Sequence, residues 1–142
     1  MSEVFNASVV LQDGMHFSGA VSDEVVVQLD AAAQYGGLGK GVQPKPLLLV
    51  SLGGCTGMDV ISILRKKRQQ VSALEVRVKG TAAEEHPKVF TQIDVHYVVR
   101  GRGVEAEAVE RAIELSMTRY CPVANLLKPV VPIDSTYEII EE

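Results

Sequence analysis

The sequence predicts an α+β domain, and three observations carry that expectation. Runs with alternating apolar and polar residues occur in both halves of the chain, as half-buried strands require. A long apolar segment with helical length lies near the middle, and a second segment with helical spacing lies around residue 110. Apolar residues make up 46% and charged residues 23% of the 142-residue chain, a composition that excludes disorder and collagen-like structure. No repeat or linker interrupts the pattern, so residues 1–142 are expected to form a single domain.

Taken in order, residues 4–12 and 15–20 are expected to be strands joined by a turn at Asp13-Gly14, and residues 24–29 a third strand. The segment 30–43 holds four glycines and no sustained apolar period, which predicts a mobile loop of the kind that often borders a functional site. Pro44 and Pro46 open a helix expected over 46–69, because proline in the first turn forfeits no hydrogen bond. Its end carries Arg65-Lys66-Lys67-Arg68, cations suited to the negative pole of the helix dipole. Strands are expected at 72–82 and 88–100 as an antiparallel pair. Leu74, Val76 and Val78 face inward on the first, and Ile93, Val95, Tyr97 and Val99 on the second. Gly101-Arg102-Gly103 breaks the second strand. An amphipathic helix follows at 104–119 with Val104, Ala108, Val109, Ala112 and Ile113 on one side. Cys121-Pro122 opens a short helix through Leu127, and residues 133–140 give a last strand.

Several function classes are excluded early. Acids outnumber bases by 18 to 14, a charge of -4 that argues against nucleic acid or an anionic membrane as partner. There is no Trp to build a base-stacking platform, and the basic run at 65–68 reads as helix-end electrostatics. The N-terminus lacks a secretory profile. The apolar run Leu47 to Leu64 carries Asp59, Ser51, Thr56, Ser62 and three glycines, so it reads as the buried helix of a soluble, cytoplasmic protein. Two cysteines and three scattered histidines (His16, His86, His96) are too few for a structural metal site, and His86 and His96 fall on surface positions. Gly36-Gly37-Leu38-Gly39-Lys40-Gly41 is not a phosphate loop, since Gly41 stands where Ser or Thr is needed and Gln34 where glycine is needed. No nucleophile elbow supports a serine hydrolase.

The chemistry therefore falls to Cys55 and Cys121. Cys55 lies within Leu52-Gly53-Gly54-Cys55-Thr56-Gly57-Met58-Asp59. Each glycine in a helix costs about 1 kcal/mol relative to alanine, so three in five positions imply a close approach by another backbone or a bound molecule. Ser51, Leu52, Met58 and Asp59 lie one turn from Cys55 and make that face partly polar, while Leu47, Val50, Ile61 and Leu64 face elsewhere. Free cysteine is more often a buried apolar residue than a reactive one, and both readings of Cys55 stand at this point. Cys121 precedes Pro122 at a helix start, where unpaired N–H groups and the dipole are expected to favour the thiolate.

Two motifs carry a family resemblance. Gln43-Pro44-Lys45-Pro46-Leu47-Leu48-Leu49-Val50-Ser51-Leu52-Gly53-Gly54-Cys55-Thr56 resembles the cysteine helix of the OsmC/Ohr family (osmotically inducible protein C and organic hydroperoxide resistance protein). Tyr120-Cys121-Pro122-Val123-Ala124-Asn125 resembles its second-cysteine motif, in register over the whole chain, and Gly-Gly-Cys-Thr is similar to a less studied branch. The resemblance implies an intertwined homodimer, with antiparallel sheets around a long central cysteine-bearing helix and sites at the subunit interface. It also implies a thiol peroxidase that needs no metal, flavin or other cofactor. In it Cys55 becomes a sulfenic acid on reducing an organic hydroperoxide or hydrogen peroxide, Cys121 resolves it as a disulfide, and a small dithiol or lipoylated protein restores both thiols.

The sequence departs from the family pattern at two points. A glutamate expected nine or ten residues before the first cysteine is replaced by Pro46 and Lys45, and no arginine precedes Arg65. His16, near the family's arginine position, and Lys40 or Lys45 are the candidates to stabilise a thiolate or peroxide. With those groups missing, the alternative function is a non-enzymatic redox sensor or small-ligand-binding protein on the same scaffold.

Overall fold

The structure is a computed structural model that describes residues 1–142. The chain divides into two compact units, Met1–Leu48 and Leu49–Glu142.

In the first unit, β1 (Ser8–Asp13), β2 (His16–Ala20) and β3 (Val26–Leu29) form an antiparallel sheet in chain order. The predicted turn is present, with Gly14 in the left-handed region at φ 53°. The segment 30–43 is organised, where the sequence predicts mobility. Val42 bridges Leu29, a 3-10 turn spans Ala33–Tyr35, and Gly36 closes that turn at φ 92°. A single carboxylate does what apolar periodicity does elsewhere. Asp30 is buried, and it accepts hydrogen bonds from the backbone N–H groups of Ala31 (2.8 Å), Leu38 (3.0 Å) and Lys40 (3.1 Å).

These bonds, the Lys40 N–H foremost, hold the Asp30 carboxyl below its ordinary value of 3.8. A lowered pKa stabilises the fold above 3.8, and that contribution disappears as pH falls through the folded value. Hydrogen-exchange protection at Leu38 and Lys40 is therefore expected to fall with acidification below pH 3.8 before protection in β2 does. Equal loss in both places would show that Asp30 does not organise the loop.

The helix α1 (Pro44–Lys66) starts at the end of the first unit and runs into the second, which continues with β4 (Gln70–Ala82) and β5 (Phe90–Arg102). Next come α2 (Ala106–Leu115), a π-helical turn (Ser116–Tyr120), α3 (Pro122–Leu127) and β6 (Ile133–Glu141). The second sheet has the order β4-β5-β6. β4 and β5 are antiparallel as expected. β6 joins β5 in parallel, because the intervening chain crosses over through α2, the π turn and α3. Ile93, Val95, Tyr97 and Val99 are buried, with Leu52, Val60 and Leu64 of α1 and Val109, Ala112 and Ile113 of α2. On the polar face of β5, His96 is more engaged than a solvated surface residue. Its Nε2 lies 3.0 Å from Glu138 and its Nδ1 2.8 Å from Thr136, both on β6.

The buried stripe of α1 is Leu52, Thr56, Val60 and Leu64, one residue per turn. Gly53 and Gly57 face β4. A Cβ on Gly53 would lie 3.1 Å from the Val78 side chain, and one on Gly57 3.3 Å from Val76, so these glycines serve the close approach inferred from the sequence. Gly54 faces open space. In the single chain the helix is buried on one side: Val50 is 63% and Met58 73% exposed. Between α1 and β4 runs an open groove of about 730 Å³, lined by Gly53, Gly54, Gly57, Met58, Val76 and Val78 among others. By length and composition α1 would also suffice to cross a bilayer.

Candidate functional site

The helix α1 carries Cys55 at mid-length, half-buried and packed against the core cluster that contains Cys121. Cys121 has no exposed surface, and its neighbours explain why it is fixed. The π turn delivers it to the N-cap of α3, where its Sγ accepts the Ala124 N–H at 3.4 Å and Pro122 fills the first helical position. Its own N–H donates to the Ser116 carbonyl at 2.8 Å, and its carbonyl accepts Asn125 Nδ2 at 2.8 Å. The two thiols, remote in sequence, lie close enough in the same core for Cys55 to raise the Cys121 thiol.

The sequence expectation of a Cys121 thiolate is overturned. Burial pushes the Cys121 thiol up to about 11. The contact with Cys55 and the negative charge of Asp59 add to this, against the opposing pull of the Ala124 N–H. The helix N-terminus is present, but a single N–H at 3.4 Å does not offset removal of the sulfur from water. Cys121 is accordingly a thiol that keeps its proton at neutral pH, held against the sulfur of Cys55.

Beside the cysteines lies a buried chain of hydroxyls that sequence reading misses. Thr56 Oγ1, next in sequence to Cys55, is 2.7 Å from Tyr97 Oη on β5 and 2.7 Å from Ser116 Oγ at the start of the π turn. Ser116 Oγ donates to Asp59 Oδ2 at 2.9 Å. Burial pushes the Tyr97 phenol up to about 12, against the opposing pull of Thr56 and of Ser135 on β6. A sequence signal existed for one member. Ser116 continues the apolar stripe of α2 through Val109, Ala112 and Ile113, so a polar residue falls on a buried position.

The candidate stabilisers are placed differently. His16 Nε2 donates to Gln28 Oε1 at 2.6 Å, and its Nδ1 lies 3.5 Å from Asp13 Oδ1. Lys40 Nζ lies 3.1 Å from Asp13 Oδ2, and this cation is the main reason the Asp13 carboxyl sits below its usual range. His16, Lys40 and Lys45 belong to the first unit, and both cysteines to the second. Met58, grouped with Cys55 by spacing, instead faces the open groove. No three His, Cys, Asp or Glu side chains converge as a metal site would need.

A sequence profile of the family described as OsmC-like protein matches residues 37–136. The chain belongs to the OsmC-like family. It is 42% identical to the protein YhfA of Escherichia coli K12 over 101 residues, which cover 71% of this chain and 75% of YhfA. A hypothetical protein from Aquifex aeolicus VF5, known from its crystal structure, superposes with a TM-score of 0.88 at 33% identity, covering 99% of each chain. An organic hydroperoxide resistance protein from Legionella pneumophila superposes with a TM-score of 0.70 at 14% identity, covering 96% of this chain and 97% of its own, a likeness of fold alone. The OsmC-like match includes both cysteines and every residue of the buried hydroxyl chain.

Proposed function

We propose that this OsmC-like chain is a thiol-dependent peroxidase that reduces organic hydroperoxides or hydrogen peroxide in the antioxidant response of the cytoplasm. The observation that carries this reading is the meeting of two thiols of unequal access, one half-buried and one fully buried. A peroxide reaches Cys55 first, and Cys121 reacts only with its neighbour. The Cys55 thiolate attacks the distal peroxide oxygen, the O–O bond breaks, and the alkoxide takes a proton to leave as alcohol. Cys121 Sγ then attacks Cys55 Sγ. The S–O bond breaks, and the proton retained by Cys121 converts the departing hydroxide to water. A small dithiol or lipoylated protein reduces the disulfide by exchange.

The same retained proton supports the reading in a second way. In the absence of the family arginine, the Cys121 S–H is the donor proposed to support the Cys55 sulfur beside it. His16, Lys40 and Lys45 are proposed to add positive potential, and the exposed apolar side of α1 with its groove is proposed to be covered by a second copy of the chain in a homodimer.

Purified wild type is expected to be dimeric by light scattering and to consume cumene hydroperoxide catalytically when a dithiol such as dihydrolipoamide is supplied. Oxidation that stops at one equivalent with every dithiol would favour the redox-sensor reading, for which the missing arginine and glutamate speak. Inert cysteines would overturn both.

A further inference from the structure

The buried hydroxyls beside the cysteines have only one consistent direction. Ser116 spends its single hydroxyl proton on Asp59, whose carboxylate can only accept. The 2.7 Å contact between Ser116 and Thr56 therefore takes its proton from Thr56, and the 2.7 Å contact between Thr56 and Tyr97 takes its proton from Tyr97. Ser135 on β6 also acts on the phenol from nearby. Every hydroxyl in the chain has a partner, and no buried polar side-chain atom of the molecule is left without one.

The chain's location gives it a consequence. Thr56 follows Cys55 on α1. Ser116 opens the π turn whose last hydrogen bond, from the Cys121 N–H to the Ser116 carbonyl at 2.8 Å, sets the backbone position of Cys121. The Thr56–Ser116 bond is thus a direct tie between the elements that carry the two sulfurs, anchored at one end by β5 through Tyr97 and at the other by the Asp59 carboxylate on α1. We infer that Thr56, Ser116 and Asp59 are positioning residues for disulfide formation: their one-way chain Tyr97→Thr56→Ser116→Asp59 clamps α1 to the π turn and holds Cys121 in reach of Cys55. None of them touches a peroxide in this scheme. The inference deepens the peroxidase reading, since it concerns the step that closes the disulfide, but it is tested without peroxide.

The test is thiol–disulfide exchange with glutathione. Reduced protein and oxidised glutathione give the Cys55–Cys121 disulfide and two reduced glutathiones, and the equilibrium constant reports the effective concentration of one cysteine toward the other. Thr56→Val keeps the shape and removes the hydroxyl, whereas Thr56→Ser keeps the hydroxyl and removes a methyl group. Thr56→Val is expected to lower the effective concentration about tenfold or more, since small misplacements of reacting atoms cost factors of that order. Thr56→Ser is expected to stay within about threefold of wild type on the same scale. A packing role would reverse that order. Equal values for Thr56→Val and wild type would overturn the inference, as would a Thr56→Ser value as low as that of Thr56→Val. Failure of the wild type to form the disulfide in glutathione would overturn it too. Ser116→Ala, which removes the same tie from the other side, must show the loss seen in Thr56→Val; a wild-type value there would count against the clamp. If exchange behaves as expected while no hydroperoxide is consumed, the peroxidase reading fails and the positioning role stands.

Discussion

Cys55→Ser protein is expected to lose peroxide turnover by at least about a thousandfold, because a hydroxyl is not ionised near neutral pH and the remaining thiol, Cys121, is fully buried. Cys121→Ser protein is expected to fail differently. Mixed with one equivalent of cumene hydroperoxide and no dithiol, it should consume the peroxide at close to the wild-type rate and stop with Cys55 as a sulfenic acid, which dimedone traps and intact-mass spectrometry counts. The asymmetry follows from burial: Cys121 has no exposed surface and its sulfur keeps its proton to about pH 11, so it is neither open to a peroxide nor ionised to attack one. Dimedone labelling of Cys121 in the Cys55→Ser protein, or no labelling of either cysteine, would reverse or abolish the assigned order. The serine in Cys121→Ser also tests the donor role. If the Cys121 S–H supports the Cys55 thiolate, a serine hydroxyl at the same N-cap can replace it, and Cys121→Ala should slow the first step where Cys121→Ser does not.

Much of this site was legible in the sequence because its main features are local. Both cysteine motifs are contiguous, and the positions of the helix at 122–127 and of the inward face of β5 follow from proline placement and from period-two alternation. What was not legible is set by distant chain. The state of Cys121 could not be read from its helix N-terminus, because the burial that raises it comes from packing against α1 and the sheet. The segment 30–43 lacked any periodic signal because one buried carboxylate, Asp30, supplies its order through three backbone N–H groups. The hydroxyl chain joins residues from α1, β5 and the π turn, so alternation places Tyr97 in the core while nothing local in the sequence marks Thr56 and Ser116 as its partners.

Gly101 gives the second large expected effect, and it also shows how a residue that reads as a strand breaker can sit inside the strand. β5 continues through Gly101 to Arg102, where the sequence predicts an end at residue 100, and the chain turns only at Gly103, whose φ is 58°. Gly101 pairs with Val71 on β4 and with Glu141 on β6, next to the irregularity between Val71 and Ala73. That irregularity brings β4 so close that a Cβ on Gly101 would lie 2.0 Å from the Gln70 carbonyl oxygen and 2.9 Å from Val104 Cγ2. A backbone carbonyl in a strand cannot swing aside as a flexible side chain can, so Gly101→Ala must displace β4 from β5. The expected cost is about 3 kcal/mol or more, a fall in Tm of about 10 °C. Gly103→Asn is the internal control. It keeps the left-handed backbone accessible and adds its Cβ into open space, so its Tm should fall by no more than about 3 °C. Thermal unfolding of the two variants by circular dichroism decides the matter. Equal Tm values for Gly101→Ala and Gly103→Asn would mean that conformational freedom, and not the approach of Gln70, is what requires glycine at position 101.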